Sequence, residues 1–413
     1  MKTLTTLRNP QVFKLWLSQV LSSIGDNFYD MTLVWITTRE IGAAAGLIVL
    51  VGSLSTLIFG IPGGVWVDRW DRRLTMALVD TIRMIVLLLL VLMTVFGEIQ
   101  LWHLAIVTAI NVGLNALFQP ALIASVRIVS EDRSQLQAVN ALMDVTSRVA
   151  RAIAPAMAGI LLAIALPQHL FFLDALTFGV SALAIFSLSQ HFAWKPEKLP
   201  DASGNDITFW GDVKEGWRVL QSHAVLRWIL PMKTVVNAFW GIAFVIGIPL
   251  LVDASFSADP RNYGYIFAAY GFGSVVGNLV IGSLTIKRRA FVMFSGMIIL
   301  GAGFVLLAWS PSLPFAIVAI FLASLGAPME DLMMLLYMQE DIPDNSLGKI
   351  YSLRVVLSEL GYSFGVASAA LIYGWMSVPM GMTLAALAVV ACGSLGVWRF
   401  GLSVYEPKPV TSA

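Results

Sequence analysis

The most constraining feature of this chain is a rhythm: apolar runs of about 20 residues follow one another along its whole length, separated by short turns that hold most of the charge. Between Ile41 and Val67 no ionisable residue occurs. Then Asp68, Arg69, Asp71, Arg72 and Arg73 fall within six positions, and apolar sequence resumes at Leu74. Such a run, wound as a helix rising 1.5 Å per residue, crosses a hydrocarbon core roughly 30 Å thick. The charged turn then belongs at the membrane surface.

Composition agrees with this reading. The chain is 58% hydrophobic and 12% charged, against roughly 25% charged in a soluble domain. Twelve spans can be drawn. Six lie at about 12–37, 43–67, 74–96, 101–126, 136–166 and 170–188, and six at 224–252, 263–286, 291–309, 313–338, 350–376 and 378–400. Between the sets, 190–223 is polar, with Lys195, Pro196, Lys198, Pro200, Asp201, Ser203 and Gly204, and reads as a linker. The expected architecture is all-α and integral to the membrane: twelve transmembrane helices in two pseudo-symmetric six-helix bundles, 1–189 and 224–413, joined by a cytoplasmic linker. The first span is too long and too polar for a cleaved signal peptide and is expected to be retained.

Charge placement orients the spans. With the N-terminus inside, one side collects Lys2, Arg8, Lys14, Arg69, Arg72, Arg73, Arg127, Arg133, Lys287, Arg288, Arg289, Lys349, Arg399 and the linker cations, and the other only Arg39 and Arg261. Both termini are therefore expected in the cytoplasm. The net charge of +1 offers no field for nucleic acid, and the lone Cys392 excludes an intramolecular disulfide.

The halves repeat. Val12-Phe13-Lys14-Leu15-Trp16-Leu17 is echoed by Val225-Leu226-Arg227-Trp228-Ile229-Leu230, and 134–142 lines up with 346–354 at nearly the same offset. Duplicated six-helix halves are the plan of secondary transporters with a site at the interface of the repeats.

Against this frame, Gly64-x-x-x-Asp68-Arg69-x-x-Arg72-Arg73 resembles the loop signature of the major facilitator superfamily. The chain is similar to its twelve-helix efflux branch, which includes macrolide and siderophore exporters. Further matching stretches are Gly25-Asp26, Phe118-Gln119-Pro120-Ala121-Leu122, Phe172-Leu173-Asp174-Ala175-Leu176-Thr177-Phe178, the 213–220 stretch and the 347–353 stretch. The resemblance implies a monomeric secondary transporter of the cytoplasmic membrane, not an enzyme, without a cofactor, exchanging a small molecule for protons among membrane lipids. The sequence departs from the branch at three places. Asn111 stands where the fourth span usually carries an arginine, Ala154-Pro155-Ala156-Met157-Ala158-Gly159 replaces a Gly-Pro signature, and the second-half copy of the loop, 282–289, lacks the aspartate.

Ionisable residues inside spans cost about 2.5–3.5 kcal/mol on insertion scales, so each is a site candidate. Asp26 and Asp30 are one turn apart on the first span and form the leading proton or substrate pair. Asp144, Arg148 and Arg151 make a charged stripe on the fifth, suited to an anionic group or to a switchable ion pair, or equally to a structural clamp. Asp80 and Arg83 are spaced for a local salt bridge on the third. In the second half Glu330, Asp331, Arg354 and Glu359 are candidates. Glu330 and Asp331 diverge by about 100° and are expected to face different surroundings. Lys233 is expected to meet a carboxylate of the first helix, greet an anionic substrate, or snorkel to the surface. Gly64, Asp68, Arg69, Arg72 and Arg73 form the expected conformational gate, with headgroup binding as the alternative for the arginines.

Phe28, Trp35, Phe239, Trp240 and Tyr270 line a cavity or serve as interfacial belts. Gly271-x-Gly273-x-x-x-Gly277 reads as close helix packing rather than a nucleotide loop. No Walker-type sequence is present, so ATP coupling within the chain is not expected. The functional expectation is proton-coupled efflux of an amphipathic, drug- or macrolide-like molecule. The alternatives are a siderophore or metabolite exporter, a lysophospholipid or lipid flippase, and a scaffold or sensor, the last disfavoured by the insertion cost of so many charges.

Overall fold

The computed structural model describes residues 6–67, 70–97, 100–129, 133–188, 209–222, 226–284, 286–342 and 344–400. Asp68 and Arg69 of the expected gate, and the first part of the expected linker, lie outside the described residues. Gly64 lies in the last turn of a helix that ends at Val67, and Arg72 opens the next.

The first half contains α1 (Pro10–Ile41), α2 (Ala45–Val67), α3 (Arg72–Phe96), α4 (Leu101–Val129), α5 (Arg133–Ile164) and α6 (Pro167–Phe186). Then come α7 (Phe209–Ser222), α8 (Leu226–Phe239), a π-helical segment (Trp240–Gly247), α9 (Ile248–Ser255), α10 (Pro260–Ser283) and α11 (Arg289–Ala308). The chain continues with α12 (Leu313–Ser324), α13 (Gly326–Asp341), α14 (Asp344–Trp375) and α15 (Val378–Phe400). Eleven stretches of the described residues are long and apolar enough to cross a membrane, and the first, Pro10–Gly60, holds both α1 and most of α2. Split at its turn, that makes the twelve passes expected. The seventh is continuous through α8, the π segment and α9, and the tenth is interrupted at Leu325, between α12 and α13.

The helix ends follow from local chemistry. Asn9 caps α1 by accepting from the Gln11 N–H at 3.0 Å, with Pro10 in the first turn, where a missing N–H costs nothing. The turn out of α1 uses Gly42 at φ 59°, a left-handed conformation that suits glycine. Asp71 caps α3, its Oδ1 accepting from the Leu74 N–H at 3.1 Å. At the far end of α6, Lys14 Nζ donates to the Ser187 carbonyl at 2.9 Å and Arg73 Nη1 to the Leu188 carbonyl at 2.7 Å. Two cations thus satisfy orphan carbonyls where a helix dipole ends negative.

The chain divides into two compact units, 1–201 with 259–268, and 202–258 with 269–413. In the first, α1 packs on α5 and α6, and α3 on α4 and α6. In the second, the seventh pass packs on α14 and α15, and α11 on α12, α13 and α15, which repeats the same pattern of neighbours. Buried apolar side chains fill the first unit in two groups, one around Met76, Phe118, Ala121 and Ile185 and one around Tyr29, Leu87, Phe171 and Phe178. In the second unit the π segment stacks Trp240 on Phe244 at 3.9 Å, and Tyr270 of α10 packs edge-on against both rings.

The glycine spacing in α10 does the packing expected of it. A Cβ at Gly273 would collide with Phe321 and Ser324, and one at Gly277 would press on Leu325 and Pro328. One element was not expected. Within the stretch read as linker, α7 is a regular helix that packs against α14.

Candidate functional site

In the first unit a charged centre joins three helices. Arg83 of α3 is 3% exposed, and its Nη2 lies 2.5 Å from Asp26 Oδ1 on α1. Its Nε donates to Asn111 Oδ1 of α4 at 2.5 Å, and its guanidinium plane covers the Phe178 ring of α6 at 3.9 Å. A planar fork suits this arrangement: two edges reach oxygen while the face rests on an aromatic ring, a contact that contributes up to about 2 kcal/mol when dry. The expected local bridge between Asp80 and Arg83 gives way to these cross-helix partners. Asp80 instead meets Ser181 of α6, whose Oγ lies 2.5 Å from Asp80 Oδ2.

Asn111 now has an explanation. The position where the family resemblance calls for an arginine receives one from the neighbouring helix, with Asn111 as its acceptor. Reading the sequence assigned Arg83 only a local structural bridge to Asp80 and did not join it to Asp26. Its signal was a lone arginine nine positions beyond Leu74, where the apolar span begins, with no cation elsewhere on α3 beyond its first turn.

Asp26 is 31% exposed. It lines a cavity of about 340 Å³ within the first unit, together with Trp16, Gln19, Asn115, Phe118 and Asp144. Trp16 is fixed there by donating from Nε1 to Thr146 Oγ1 at 2.9 Å. Asp144 bonds Arg148 at 2.8 Å across one turn of α5, with both side chains substantially exposed. Asp26 and Asp144 therefore share one cavity, from α1 and α5. Arg148 and Arg151 are not among its lining residues, and Arg151 is exposed on the same helix. Asp30 is exposed one turn beyond Asp26, where it feels the charge of Asp26 and Arg83. Of the gate residues, Arg73 caps α6 as described and Arg72 is half-buried.

The second unit has its own centre. Lys233 of α8 places Nζ 3.0 Å from Glu330 Oε1 and 3.0 Å from Asp331 Oδ1, both on α13. Arg354 of α14 stands 4.0 Å from the same Asp331 oxygen. Adjacent residues do point apart, but the four-carbon stem of the lysine reaches both. Lys233 thus pairs inside its own unit rather than snorkelling. Glu330 is 3% exposed and Asp331 54%. Glu359 is half-buried farther along α14.

Comparison with known proteins places this geometry. A family described as transmembrane secretion effector matches residues 1–410. The macrolide efflux protein A of Streptococcus pyogenes is 22% identical over 365 residues, covering 87% of this chain and 88% of the relative. The multidrug efflux pump Tap of Mycolicibacterium fortuitum is 24% identical over 375 residues, covering 87% of each. Among solved structures, a bacterial homologue of the human lysosomal transporter Spinster superposes with a TM-score of 0.73 at 15% identity, covering 97% of this chain and 99% of that one. A POT family transporter in complex with 5-aminolevulinic acid gives 0.74 at 10% identity, covering 94% and 96%. These structural likenesses concern the fold.

Proposed function

Given that the chain belongs to the transmembrane secretion effector family of the major facilitator superfamily, we propose that it is a proton-coupled exporter of amphipathic small molecules, working as a monomer in the cytoplasmic membrane with both termini inside. The observation that carries this reading is Asp26, a carboxylate with one side on a cavity and the other on a buried guanidinium. Such a group can trade Arg83 for a proton or for a ligand. A transported ligand shifts a conformational equilibrium only through unequal affinity for its states, and a carboxylate that changes partners provides that inequality.

The cavity wall favours one substrate class. Among the described residues that line it there are two acids, Asp26 and Asp144, many amide and hydroxyl groups, and no Lys, Arg or His. The aromatic rings of Trp16 and Phe118 supply apolar surface. That mixture suits a neutral or cationic amphiphile better than an anionic siderophore. Relatives that are a macrolide efflux protein and a multidrug pump support the same direction of transport.

The test is efflux of ethidium and of erythromycin from a bacterial host lacking its major pumps, with and without a protonophore. Expression should lower accumulation of at least one of them in a protonophore-sensitive way, and Asp26→Asn at equal expression should abolish the effect. Unchanged efflux by that variant would sink the assignment of Asp26.

A further inference from the structure

Behind the cavity wall lies a carboxyl that the mechanism above does not use. Asp174 of α6 is wholly buried, and its Oδ2 meets no donor. Its Oδ1 lies 3.2 Å from Thr177 Oγ1, but that hydroxyl has a single hydrogen and a shorter contact, 2.7 Å, to the Asp174 backbone carbonyl. Asp80, equally buried, has an Oδ1 without a partner.

The charges that face Asp174 can be enumerated. From α1 they are Asp26, Asp30 and the phenol of Tyr29; from α3, Arg83, with Asp80 beside it. From α4 come only the neutral Asn111 and Thr108, bonded to Arg83 and Tyr29. Among these described groups Arg83 is the single cation, and it is engaged with Asp26. A buried carboxylate without a compensating charge costs several kcal/mol even after relaxation. A carboxylic acid carries its own donor and needs no counter-ion.

Position connects this carboxyl to the site. Asp174 presses on α1 at Gly25, the residue before Asp26: a Cβ there would stand 2.2 Å from Asp174 Oδ1. Phe178, one turn along α6 from Asp174, carries the face of the Arg83 guanidinium. Arg83 is therefore bonded to one acid, Asp26, and within electrostatic reach of a second, Asp174, one turn of α6 from the ring that carries its guanidinium.

We propose that Asp174 carries the exchangeable proton and that Arg83 is the switch. When a cationic ligand takes Asp26, Arg83 turns to Asp174. The Asp174 O–H bond breaks, its electron pair stays on the carboxylate, and the proton passes to water at the exposed Asp30 end of the site. One positive charge enters the cluster with the ligand and one leaves as the proton, so substrate binding and proton release are linked without titrating Asp26 itself. This rests on the exporter reading for its ligand and not for the location of the proton.

The experiment is infrared spectroscopy of the purified full-length protein, following the C=O stretch of protonated carboxylic acid in ordinary and heavy water. The wild-type protein at neutral pH should show this band, Asp174→Asn in an Asp80→Asn background should lose the remaining component, and Asp26→Asn should keep it. Asp174→Glu, with thermal unfolding as the control for folding, should move the band rather than remove it. A band unchanged in both Asp174 variants overturns the assignment. Adding tetraphenylphosphonium should bleach the band in the wild type; binding without bleaching, or no binding at all, overturns the switch. Absent efflux with the band intact would instead count against the exporter reading alone.

Discussion

Arg83 Nη2 stands 2.5 Å from Asp26 Oδ1, across the gap between α3 and α1, and this pair is where buried charge meets the cavity. Replacing Arg83 with methionine leaves Asp26 facing a partly wet cavity without its counter-ion. Because Asp26 is about one-third exposed, the loss is discounted to roughly 1–3 kcal/mol. Thermal unfolding in detergent should show it, and Arg83→Met combined with Asp26→Asn should recover part of it. Transport by the single variant should fall by at least about tenfold, the factor equivalent to 1.4 kcal/mol.

Gly25 provides a second measurement. Alanine there drives a methyl into Asp174 and Thr177, an overpacking that costs about 1–3 kcal/mol. Combining Gly25→Ala with Thr177→Ala and Asp174→Ser should relieve most of the loss. Equal destabilisation with and without the second-site changes would show that the contact is not the cause.

The cluster on α8 and α13 separates buried from exposed charge. Lys233→Met strands Glu330, which is 3% exposed, and should destabilise by about 3–5 kcal/mol. Asp331→Asn, at a side chain 54% exposed, should cost no more than about 1 kcal/mol. Chemical denaturation of the two variants side by side tests the contrast.

These three relationships mark the limit of what the sequence reveals. The twelve spans were legible because a bilayer demands runs of apolar residues of fixed length, and because turns such as Asp71 to Arg73 break those runs sharply. Asp26 was legible because a carboxylate in such a run is expensive. Its partner was not, since Asp26 and Arg83 are separated by 57 residues, and only helix packing says which neighbour faces which. The spacing of Asp80 and Arg83 suggested a local pair, but a rigid helix lets each side chain find a better partner on another helix. Glu330 and Asp331 were separated by angle alone, which ignores the reach of Lys233. Helix α7 was hidden because its stretch has low overall hydropathy and follows a Pro- and Ser-containing segment.

At the start of α10, pH has a calculable effect. Arg261 donates to Asp259 from Nη2 at 2.7 Å and from its backbone N–H at 2.9 Å, which holds the Asp259 carboxyl below the ordinary carboxylate range. A depressed value contributes stability that is present above the unfolded value and is lost as pH falls through the folded one. The protection factors of the amides at 261–263, taken relative to intrinsic exchange at each pH, should therefore fall on acidification below the usual carboxylate range. In Asp259→Asn that pH dependence should vanish.

The π segment from Trp240 to Gly247 winds its backbone one residue looser per turn than the α-helices on either side. Every side chain after it is consequently rotated by about 100° from where an unbroken α-helix would carry it. Deleting one residue within 240–247 would let the pass rewind as ordinary α-helix and swing α9 onto a different face. The seventh pass thus behaves like a screw with a single widened thread, in which chain length by one residue, rather than side-chain chemistry, decides which way Pro249, Leu251 and Val252 point.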